Sequence, residues 1–218
     1  DGKELGRIEG YETVDGWIAA LEGALAGEDD CAAVLARHAS SPGDLELAAQ
    51  AGAAKLARGE EEEGVRLLES VRAAEGAPRQ AVLDATRTLG RWFFRVRRQY
   101  DRALAYFQDG AVRAGNGPEA WGFHYWTAMS LRVLGRPDEA LALLDGLMAE
   151  HPGMAAPVGL TADYLYMTDG NDSRALELAR RGVELDPTDG SNHYLVAVLA
   201  ERTGIAVAAR SLYLNGFE

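Results

Sequence analysis

"LGRPDEALALLDGLMAEHP" occupies residues 134–152, and "DGNDSRALELARRGVELDP" follows at 169–187. Gly135 and Gly170, Ala140 and Ala175, and Pro152 and Pro187 are each 35 residues apart. A third copy, "TGIAVAARSLYLNG" at 203–216, puts Gly204 and Ala209 each 34 residues beyond their predecessors. A period of this length, with a small residue, an alanine and a closing proline, marks an array of helix-turn-helix units. Inside one copy, Leu141, Leu144 and Met148 recur at helical spacing. Pro137 fits the first helical turn, where its missing N–H is no loss, and Asp138 with Glu139 complements the positive helix start. Each such helix has an apolar stripe that one unit alone leaves uncovered, so neighbours must stack.

These residues resemble tetratricopeptide repeats. With Trp121 as position 1, Ala128 falls at the small position 8, Leu131 at 11, Gly135 in the turn, Ala140 at 20 and Pro152 at 32. The match departs at position 4, where His124 replaces the usual Trp, and at position 24, where Leu144 replaces an aromatic. The next repeat, counted from Ala156, has Tyr166 at position 11 but Asp163 at position 8. Upstream, "QYDRALAYFQDGA" (99–111) resembles a second helix, with Tyr100, Ala103 and Phe107 at positions 17, 20 and 24, and Phe94 takes position 11 of the helix before it. Ala103 to Ala140 is 37 residues, which implies a short insertion at "AGNGPE" (114–119). A weaker copy covers about 44–75, with Gly59 as its turn and "GVRLLESV" in its second helix. The resemblance implies an all-α fold over residues 44–218: a right-handed superhelical array of about five antiparallel helix hairpins, joined to what precedes it by a helix and loop at 27–43.

The first 26 residues differ in kind. "ELGRIEGY" reads as a short strand with Leu5 and Ile8 apolar, and "TVDGWIAALEGAL" as an amphipathic helix opened by Thr13 or Asp15. The pair resembles the last strand and helix of a thioredoxin fold. The Cys-x-x-Cys and facing cis-proline that do that family's chemistry have no counterpart, since Cys31 stands alone and Pro42 is in a loop. A lone strand lacks ladder partners, so residues 1–11 are expected to be mobile or paired to another chain.

Composition narrows the function classes. With 22 Lys and Arg against 34 Asp and Glu, the formal charge is −12, which opposes the phosphate neutralisation that nucleic-acid binding needs. One cysteine allows no internal disulfide, which fits a reducing, cytoplasmic setting. No stretch approaches the roughly 18 apolar residues of a membrane span, and the start has neither signal-peptide form nor an initiator Met, as expected of a piece of a longer protein. His38, His124, His151 and His193 are scattered without zinc-ligand spacing, and Cys31 has Asp29 and Asp30 beside it with nothing to lower its thiol pKa. "GEEEEG" (59–64) reads as a solvated turn and helix start. No phosphate loop, nucleophile elbow or catalytic carboxylate pair is present, so no catalysis, cofactor or metal is assigned. "RWFFRVRRQY" (91–100) mimics a base-stacking cluster, but it fits a helix end whose arginines cap carbonyls and pair with acids.

"WGFHYW" (121–126) divides by angle. At about 100° per residue, His124, Ala128 and Leu131 share the face turned to the repeat's own second helix, while Tyr125, Met129 and Arg132 share another. Trp121, Phe123 and Trp126 are read chiefly as packing. Positions 5, 9 and 12 line the groove of tetratricopeptide repeats, so the resemblance implies a partner-binding set of Trp92, Arg95, Tyr125, Met129, Arg132, Leu160, Tyr164, Met167 and Tyr194, with Val198 and Glu201 beside it. A groove of that composition suits a peptide or protein segment with apolar anchors. The Lys and Asn that clamp a C-terminal carboxylate are absent, as Tyr125, Trp126 and Met129 stand in their places. The expected function is a protein-interaction scaffold. Two alternatives are a substrate-positioning region of a thioredoxin-like oxidoreductase or redox chaperone, and self-association through an uncapped end such as "SLYLNGF" (211–217).

Overall fold

The computed structural model describes residues 30–168 and 171–204. Among them every regular element is an α-helix: α1 Asp30–Ser40, α2 Leu45–Ala57, α3 Glu61–Ala73, α4 Arg79–Arg95, α5 Tyr100–Ala114, α6 Glu119–Val133, α7 Pro137–Glu150, α8 Ala155–Met167, α9 Asp172–Leu185 and α10 Gly190–Arg202. The expected strand and helix of residues 1–26, and the second helix of the copy at 203–216, lie outside the described residues. Contacts divide the chain into two compact units, the first ending at Val96 and the second beginning at Arg97.

In the first unit, α2 and α3 form a hairpin, α1 packs on α2, and α4 packs on both α2 and α3. The Asp44 carboxylate caps α2 by accepting from the Glu46 and Leu47 amides, each at 3.0 Å. Gly59, at φ +80°, turns the chain into α3, whose first turn carries Glu61, Glu62 and Glu63. The "GEEEEG" segment is thus a turn and a helix start. Lys55 ties it down, with Nζ 2.7 Å from Glu60 and 2.6 Å from Glu63. The two helices cross at glycine: a Cβ on Gly52 would sit 2.6 Å from Leu68 Cγ, and one on Gly64 would sit 2.9 Å from the Gly52 carbonyl oxygen. The weak copy at 44–75 is a genuine hairpin in which Gly52 and Gly64 hold the places taken elsewhere by alanine.

In the second unit, α6 with α7 and α8 with α9 are successive hairpins, α5 packs on α6, and α10 packs on α9. The first helices also touch one another, α6 with α8 and α8 with α10. Ala128 and Ala140 are wholly buried where α6 meets α7, and Gly135, at φ +75°, makes the turn between them. Phe123 of α6 packs against Gly110 of α5, where any β-carbon would meet its ring. The side chains of Asn171 and Asp189 cap α9 and α10.

Burial shows that α8 is registered one residue earlier than the sequence comparison places it. Thr127, Ala128, Ser130 and Leu131 of α6 are buried, and so are Thr161, Ala162, Tyr164 and Leu165 of α8, each 34 residues on. Ala162, not Asp163, therefore holds the small position 8. The extra residue of the 35-residue spacing falls between Met167 and Asp172, outside both helices, so it leaves the packed face of α8 in step with α6. A similar step occurs on α4, where Phe93 is buried and Phe94 only half-buried.

Candidate functional site

The one-residue step rearranges the expected binding residues. Tyr164 is 2% exposed and belongs to the core of the second unit; burial pushes its hydroxyl pKa up, and that hydroxyl has no hydrogen-bond partner. Met129 is buried as well. Tyr125, Arg132 and Leu160 are half-buried, and Met167 and Tyr194 are exposed at 49% and 47%. Trp92 is half-buried and Arg95 exposed on α4, in the first unit.

With Ala162 at position 8, positions 9 and 12 of α8, those expected to line a groove, are Asp163 and Tyr166, and position 5 is Gly159. These side chains are the ones that link the first helices. The Tyr125 hydroxyl of α6 donates to the Asp163 carboxylate of α8, and Tyr166 of α8 shares a hydrogen bond with Tyr194 of α10. Burial raises the Asp163 pKa, and the Tyr125 hydrogen bond works the other way. The Arg202 guanidinium lies 5.3 Å from the centre of the Tyr166 ring and pairs with Asp172 at 3.1 Å. Tyr125, Asp163, Tyr166 and Tyr194 thus form a row of aromatic and polar groups across three successive first helices. Counting from Asp163 as a misfit at position 8 conceals this row; aligning Ala162 with Ala128 exposes it.

The remaining aromatics of "WGFHYW" are engaged in packing. Trp126 stacks on Phe107 at 5.8 Å between ring centres, and Tyr125 meets its edge at 5.6 Å. Trp121 makes an edge contact with His151 at 5.3 Å and lies 6.1 Å from His124. Burial lowers the His124 pKa. His193, at the equivalent place on α10, contacts the Pro187 carbonyl oxygen through Nε2 at 2.9 Å. Among the described residues no group of three His, Cys, Asp or Glu is gathered as a metal would require, and no helix is long and apolar enough to cross a membrane.

The hairpins, the buried small residues at positions 8 and 20 and the glycine turns define a helical-hairpin repeat fold. Residues 88–155 match the tetratricopeptide repeat family model. A structure of MamA from Desulfovibrio magneticus RS-1 is similar at 20% identity over 80% of this chain and 93% of that one, with a TM-score of 0.50. A double mutant of MamA RS-1 gives the same values. YrrB, described as a tetratricopeptide-repeat protein with an unusual peptide-binding site, is 15% identical over 84% of this chain and 90% of its own, with a TM-score of 0.47. At 20% identity the likeness to MamA is one of fold. No curated protein matches the chain.

Proposed function

We propose that the second unit is a protein-interaction module whose first helices, α6, α8 and α10, take a peptide or protein segment along the row of Tyr125, Asp163, Tyr166 and Tyr194. The observation that carries this reading is the row itself: contributed by successive repeats, it pairs exposed aromatic surface at Tyr194 with polar groups able to register a ligand. Tyrosines offer large contact area at low entropic cost, which is why they recur among binding hot spots. Arg132 shares the Tyr125 side of α6, Met129 is buried there, and Trp92, Arg95, Leu160 and Met167 stand one residue off the corresponding positions of α4 and α8. No catalytic role is assigned.

A photocrosslinking amino acid at position 194 tests the reading, with one at Ala142, exposed on the second helix α7, as control. Capture of a partner protein at 194 and not at 142 is expected. Equal capture at both, or capture at 142 alone, would overturn it.

A further inference from the structure

We propose that the Asp163 carboxylate, beside Tyr125 and Tyr166, receives a lysine or arginine side chain, so that the segment bound by this face is a basic one with apolar flanks. The inference rests on the groove reading above and names what the groove selects.

Asp163 is half-buried, and its partner is a neutral hydroxyl, that of Tyr125. No cation pairs with it among the described residues. One donated hydrogen bond leaves most of a carboxylate's acceptor sites open. A partly desolvated anion with only a neutral partner bears a solvation cost that an incoming ammonium or guanidinium would offset. The rings beside it suit the same visitor, because the face of a tyrosine attracts cations, and Tyr166 already carries the Arg202 guanidinium over its ring. Glu201 lies exposed on α10 at the expected groove position of that helix, adding negative charge, while Val198 supplies apolar surface. Arg132, the cation on the same face of α6, acts on the buried Tyr164 hydroxyl and does not pair with Asp163. At long range the formal charge of −12 draws basic segments toward the chain and repels acidic ones.

A phage-displayed library of random 12-residue peptides, selected against the whole chain, supplies the probe. Selected peptides are expected to be enriched in Lys or Arg next to apolar residues. By fluorescence anisotropy, replacing that basic residue with Gln should weaken binding about tenfold or more. Asp163→Asn, which keeps the shape and can still accept from Tyr125, should cost the basic peptide a similar factor and leave the Gln peptide unchanged. Because the peptide substitution is read on the unaltered chain, the outcome does not hang on the folding of the variant. Peptides without basic enrichment whose affinity falls on Tyr194→Ala would overturn this proposal and leave the groove reading standing. Basic peptides indifferent to Asp163→Asn would also overturn it, by placing the cation elsewhere. A library that yields no binder would overturn both readings.

Discussion

Tyr164 and His124 show how burial sets the behaviour of a single side chain. The Tyr164 hydroxyl is enclosed without a hydrogen-bond partner, so the folded state bears its desolvation without return. Tyr164→Phe should therefore stabilise the chain by about 0.5–1 kcal/mol in urea denaturation, while Tyr164→Ala should cost about 3–5 kcal/mol through the cavity it leaves. Neither result is expected of a groove contact, for which truncation lowers affinity and spares stability. His124 has a folded pKa below its unfolded one because burial disfavours the imidazolium. As pH falls through the ordinary histidine range the unfolded chain takes up the proton first, so stability present at neutral pH is lost on acidification. Thermal melts from about pH 7.5 to about 5.5 should show a smaller loss in His124→Gln than in the unaltered chain. For Asp163 the sign reverses. Its folded pKa is raised, so stability is lost as pH rises from the unfolded to the folded value and stays lower above it, and Asp163→Asn should raise the melting temperature at neutral pH but not in acid. The packing role of His124 is legible in its repeat position, whereas the role of Asp163 depends on knowing which neighbour is buried.

Helix pairs are where glycine placement decides the outcome. Gly110 has the Phe123 ring where a β-carbon would go, while Gly122, exposed on α6, has nothing within 4 Å of that place. Gly110→Ala should destabilise by about 1–3 kcal/mol through overpacking. Gly122→Ala should stabilise by about 0.5–1 kcal/mol from helix propensity alone, and the pair can be compared in one set of chemical denaturation curves. Arg98, at φ 52°, occupies the turn position that Gly59, Gly135 and Gly204 fill elsewhere with positive φ. The left-handed region disfavours a side chain, so Arg98→Gly should be neutral or slightly stabilising by the same measurement. Second helices such as α7 and α9 are plain in the sequence because Ala140 and Ala175 recur with their flanking leucines. The α2–α3 hairpin is fainter, since glycine at its crossing carries no apolar signal, although the close approach there needs glycine more than any other residue.

At the scale of the molecule, the described chain is two compact units with the exposed stretch 95–99 at their division. Brief trypsin treatment should cut first after Arg95, Arg97 or Arg98, leaving two products by mass spectrometry; initial cutting inside α6 or α9 would contradict that division. The sequence alone determined the all-α hairpin repeat, because period, turn glycines, buried alanines and apolar stripes are local features that each repeat states for itself. It also determined which face of each first helix to watch, to within one residue. Only the tertiary structure decided that last residue. One residue is about 100° of rotation on a helix, so an extra residue counted into α8 instead of after it puts the buried Tyr164 where Asp163 and Tyr166 belong. Spacing along the chain records the length of a repeat, while the packing of Ala162 beneath its neighbours records where the helix begins its count.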